Sequence, residues 1–107
     1  MIPARDLLAV RKRIFDLNAR CADGAADGAD LKALSLDLFD LLKAHGELGL
    51  WERVHLAAVA AALKANWRCL ALSHLWLAAA TPEERAGARC EDSRVSPARL
   101  RSLLAGG

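Results

Sequence analysis

Residues 50–80 read LWERVHLAAVAAALKANWRCLALSHLWLAAA, and this stretch decides the fold. Apolar side chains recur in it at three- and four-residue spacing, the period of a buried α-helix. Neither Gly nor Pro interrupts it, yet one helix over these 31 residues would span roughly 46 Å. That is too long for a compact domain of this size. The polar cluster Lys64, Asn66 and Arg68 breaks the apolar pattern at mid-length, so a helical hairpin turning near Asn66 is expected.

Within the first arm, Trp51, Val54, Ala58 and Ala62 form one line, while Leu56, Val59 and Leu63 form another. Few polar residues are left over, so this helix is expected to be central. In the second arm, spanning Trp67 to Ala80, the line Trp67, Leu70, His74 and Leu77 is expected to face the core. A second apolar stripe, Cys69, Leu72, Trp76 and Ala80, is rotated away from it. A peripheral helix of a two-layer bundle needs one stripe, so the second is either covered by the chain's last helix or left for a partner protein. These four residues are the candidate partner-binding site, with Trp76 as its anchor.

Outward from the hairpin, the same periodicity predicts a first helix over Ala4–Ala22, its core line being Leu7, Val10, Ile14, Leu17 and Cys21. Residues 22–29 hold two Gly and two Asp without large apolar side chains, which is loop chemistry, and Asp27 or Asp30 is placed to cap the next helix. That second helix is expected from about Leu31 to His45, with Leu31, Leu34, Leu38 and Leu41 stacked beside Phe39 and Leu42, and Gly46 as a left-handed cap. After the hairpin, Thr81-Pro82-Glu83-Glu84 is a helix-start signal with a capping box and should open a short helical turn. Ser96-Pro97 repeats it before a last short helix carrying Leu100, Leu103 and Leu104. The expected architecture is all-α: one domain over residues 1–107, a bundle of five up-and-down helices with 22–29 and 81–96 as connections.

Composition agrees. Ala (23) and Leu (20) dominate the 107 residues, whereas Val, Ile and Thr together number seven and Tyr is absent, so helix formers far outnumber strand formers. The net charge of +2 divides into +3 over residues 1–20, −5 over 21–52 and +4 over 53–107, and no block makes a nucleic-acid footprint. Nucleic acid is therefore not a favoured partner; Arg11 to Arg13 reads as a solvated face. The longest stretches without Asp, Glu, Lys or Arg, Val54–Leu63 and Cys69–Pro82, are too short to span a bilayer. No signal-peptide pattern follows the N-terminus, and Cys21, Cys69 and Cys90 lie far apart in a chain able to build a core unaided. A soluble protein of a reducing intracellular compartment, cytoplasm or nucleus, is expected, with Cys21 and Cys69 as small free core residues.

The run LFDLLKAHGEL at 38–48, the segment AlaLeuLysAlaAsnTrp at 62–67 and LeuAlaLeuSerHisLeu at 70–75 together resemble the helical domain shared by the steroid receptor RNA activator protein and the C-terminal region of the outer COPII vesicle coat subunit. In that family a helix ends in a Gly-X-Leu link, here Gly46 to Leu48. The next helix closes on an ALKA-like segment, Ala62 to Ala65, and an aromatic, Trp67, opens a third helix containing the Ser73-His74 step. The family's usual Ser-Pro start of its middle helix is Gly49-Leu50 here. The resemblance implies a five-helix bundle acting as a non-catalytic protein-protein interaction module, or as a small subunit of a larger assembly of the vesicle-coat or transcriptional-coactivator kind.

The chemistry-bearing residues give little else. No His or Cys pair has the i, i+3 or i, i+4 spacing of a helical ligand set, so neither metal nor cofactor is expected. Arg68 and His74 have the arginine-to-histidine spacing of helical HEPN-type ribonucleases, which makes an RNA-cleaving enzyme the alternative to a non-enzymatic module. A tetratricopeptide-like repeat fragment is a further alternative, although no second copy of a unit is visible.

Overall fold

The computed structural model describes residues 2–22, 24–46, 48–85 and 95–106. Among these the chain forms five α-helices and no strand: α1 (Ala4–Ala22), α2 (Gly28–Ala44), α3 (Leu50–Lys64), α4 (Arg68–Ala78) and α5 (Pro97–Leu104). The all-α bundle expected from the sequence is what forms. Its longest dimension is 33 Å, shorter than a single unbroken helix over residues 50–80 would need.

The break falls where the polar cluster interrupts the stripe. Asn66 has φ 61, and the two bonds of a Schellman cap close α3, Trp67 N–H to Ala62 O at 2.8 Å and Asn66 N–H to Leu63 O at 3.0 Å. Asn tolerates this left-handed conformation better than most non-Gly residues, so the sequence can turn here without glycine. Other boundaries also obey local chemistry. Asp27 caps α2 by accepting from Ala29 N at 2.9 Å, and Gly46, at φ 71, lies just past its C-terminal end. Thr81 and Glu84 form the reciprocal capping box, and Ser96 accepts from Arg99 N ahead of Pro97 in α5. The box opens a single turn through Arg85; its continuation into 86–94, and Cys90 with it, lies outside the described residues.

α2 packs on all four other helices, while α3, expected to be central, makes the two most extensive interfaces, with α4 and α5. Leu31, Leu34, Leu38 and Phe39 are completely buried along α2. α3 packs on α2, α4 and α5, and its line of Trp51, Val54 and Ala58 is half-buried rather than central; Leu56, Val59, Ala60 and Ala62 fill the core. A charged residue joins them. Glu52 is 4% exposed, accepts from Gly49 N at 3.0 Å as the α3 cap, and pairs with Arg85. A buried carboxylate needs such a set of partners.

α4 is rotated from its expected phase. Ala71, Leu72, Leu75 and Ala78 face the core, while Trp67 is 63% and Leu70 43% exposed. Both lines are apolar, so burial is decided by packing, and the line that wins presents two alanines that let neighbouring helices approach closely. The cysteines also depart from expectation. The end of α1 and the first turn of α4 meet, with Cα atoms of Cys21 and Cys69 5.9 Å apart, and the two are joined in a disulfide rather than free.

Candidate functional site

The rotation of α4 sets its outer face against α1. Along α1 the core line Val10, Ile14, Leu17 and Cys21 is buried. A second line at three-four spacing, Arg5, Leu8, Lys12, Phe15 and Ala19, is exposed throughout. Leu8 is 68% and Phe15 67% exposed. From α4, Trp76 at 39% and Leu77 at 37% stand opposite. A groove of about 360 Å³ runs between the helices, floored by Ile14 and Leu72 and walled by Phe15, Asn18, Ser73, Trp76 and Leu77.

Of the four residues expected to bind a partner, two, Leu72 and Trp76, line this groove. Trp76 is partly exposed in the groove wall, whereas Leu72 is 1% exposed and serves as floor. Cys69 is tied to Cys21, and Ala80 is half-buried past the end of α4. The last helix does not cover the indole, because α5 packs on α2 and α3. The Arg11 guanidinium covers it instead, its Cζ lying 4.3 Å from the Trp76 ring centroid. Arg11 is held there by an ion pair to Glu84 at 2.8 Å. The Thr81 N–H, and then Arg11, keep the Glu84 carboxyl below its usual range, so this platform persists into mild acid. Leu8 and Phe15 are absent from the expected site, since the line they share on α1 also carries Arg5 and Lys12 and does not read as an apolar stripe.

The two residues of the ribonuclease alternative go to different partners. Arg68 Nη1 donates to Ala26 O at 2.8 Å, while His74 turns toward α3, its Nδ1 3.2 Å from that of His55. Six helical steps separate them by roughly 9 Å along the axis. Arg68 lines two clefts among the described residues, and His74 lines neither. No group of three or more His, Cys, Asp or Glu gathers among the described residues, and no described helix is long and apolar enough to cross a membrane.

The His55–His74 contact was not legible from spacing along one helix, because it joins α3 to α4. Trp51 packs edge-on to His55 with ring centroids 4.5 Å apart, and its indole N–H donates to Leu77 O at 2.7 Å, tying the start of α3 to the end of α4. Burial, and then the neighbouring His74, hold the His55 pKa below 6.5, with Glu52 opposing. The folded chain thus binds fewer protons at this site than the unfolded chain. Stability present above about pH 6.5 is lost as the pH falls through the depressed value. Thermal melts should show a midpoint that falls below about pH 6.5 in the wild type and falls less steeply in His55→Gln. Equal slopes would mean that His55 titrates alike in both states.

No family model matches the chain, and comparison with curated proteins and with solved structures finds no significant similarity.

Proposed function

We propose that this protein is a non-catalytic interaction module whose α1–α4 groove receives an amphipathic helix of a partner protein. One observation carries the reading. All six exposed large hydrophobic residues among the described ones, Leu8, Phe15, Trp67, Leu70, Trp76 and Leu77, lie on α1, on α4 or at the residue capping α4. Scattered exposed apolar residues need no explanation, but a concentration on one pair of helices marks a contact surface. Phe15 and Trp76 are the aromatic anchors such a contact favours. Lys12 and Arg5 on the exposed α1 line select a partner helix that flanks its apolar stripe with Asp or Glu. On the resemblance of residues 38–75, the proposed setting is a multi-subunit assembly of the vesicle-coat or coactivator kind.

A displayed library of helical peptides, selected on the wild type and counter-selected on Phe15→Asp/Leu77→Asp, tests this. The enriched peptides should carry apolar residues at i, i+3 or i+4 and i+7 beside acidic ones. Trp76→Ala should weaken them by about 30-fold, the effect of losing a hot spot of about 2 kcal/mol. Peptides that bind the counter-selected variant equally well would reject the groove.

A further inference from the structure

A second and larger cleft, of about 560 Å³, opens where α2, α3, the start of α4 and the end of α5 converge. It shares no lining residue with the α1–α4 groove and lies within the size range of small-molecule sites. Its floor is apolar, with Ala60 from α3 and Leu104 from α5 buried beneath half-buried Ala57 and Leu103. The space exists because α3 presents alanines where leucines would fill it.

The charged part of the lining is of one sign. Lys32 from α2, Lys64 from the end of α3 and Arg68 from the start of α4 border the cleft, and among the described residues no Asp or Glu lines it. The lysines are exposed, but Arg68 is built in. Its Nη1 is fixed on Ala26 O, while its Nε is buried and finds no acceptor among the described residues. The guanidinium lies beside the first residue of α2: a Cβ on Gly28 would stand 3.8 Å from Nε. A guanidinium held in place at the cleft wall by its contact with Ala26 is suited to an oxyanion.

We propose that this cleft binds a small amphipathic anion, a carboxylate or phosphate head on an alkyl body, with the head at Arg68, Lys64 and Lys32 and the body over the alanine floor. The function proposed above does not depend on it, since the two surfaces are separate. The probes are decanoate and decyl phosphate below their micelle concentrations, with decanol and inorganic phosphate as the two half-ligands. In amide chemical-shift titrations either anion should saturably move Ala57–Lys64 and Leu103–Gly106, while each half-ligand binds at least ten-fold more weakly. The tighter anion identifies the head.

Lys64→Gln, at an exposed helix end, should weaken binding several-fold with the melting midpoint unchanged. Ala60→Leu should fill the floor and abolish the alkyl contribution. Arg68→Gln should weaken binding at least ten-fold; should it lose its contact with Ala26 and unfold, Lys64→Gln still decides. Decanol binding as tightly as decanoate, inorganic phosphate binding as tightly as decyl phosphate, or shifts confined to Ile14–Ala19 and Ser73–Leu77 would each overturn the proposal.

Discussion

Removing the Cys21–Cys69 bond is expected to lower stability by about 4 kcal/mol. The bond joins residues 48 apart in sequence, and closing a loop of that length restricts the unfolded chain far more than the folded one. In the folded state it staples the end of α1 to the first turn of α4, the two helices that form the groove. For a domain of this size the melting midpoint should drop by about 20 °C. Cys21→Ser/Cys69→Ser, melted beside the wild type without reductant, measures this without disturbing Cys90. A midpoint within about 2 °C of wild type would mean that the bond contributes nothing to the fold.

The phase of α4 makes the second large prediction. Leu75 is fully buried and Leu70 is 43% exposed, although the two differ by little more than one turn. Leu75→Ala should cost about 2–5 kcal/mol through lost transfer energy and the cavity left behind. Leu70→Ala should cost less than about 0.5 kcal/mol, as surface truncations usually do. Denaturant melts of the two variants compare them directly. The reverse order would return Trp67, Leu70 and His74 to the core and close the groove.

These two features are also where the sequence was hardest to read, and the reasons differ. α1 was legible because Arg5, Lys12 and Asp16 mark its outer side, leaving Val10, Ile14, Leu17 and Cys21 as its one uncharged continuous line. α2 was legible for the same reason, with Lys32, Asp37 and Asp40 exposed opposite its leucines. α4 lacks such a marker. From Cys69 to Pro82 no residue carries a charge, so two apolar lines compete and only three-dimensional packing chooses between them. The Cys21–Cys69 bond obeys no spacing rule, and pairing between distant cysteines is not deducible from sequence. The Glu52–Arg85 and His55–His74 contacts were hidden likewise, since each joins residues from separate elements. Turn chemistry, in contrast, is local. Asn66, Asp27, Gly46 and the Thr81–Glu84 box all act where their residue types indicated.

The groove itself was half legible. Trp76 stands out in the sequence as an aromatic off the expected core line, but the opposite wall does not, because Phe15 sits among the basic residues of α1. Arg11 belongs in sequence to a solvated basic face, and in the structure it lies across the indole of Trp76 while paired with Glu84. That stack orients the ring and leaves part of it open to solvent, the state a docking anchor requires.

The central claim is that the α1–α4 face receives a partner helix, and its most direct test is an amide chemical-shift map of the labelled protein titrated with a selected acidic-flanked helical peptide. The expected result is saturable shifts in Leu8–Ala19 and Ser73–Leu77, together with the Trp76 indole N–H, while the amides of α2 stay in place. Shifts centred on α2 and α5, or none beside Phe15 and Trp76 at saturation, would contradict it.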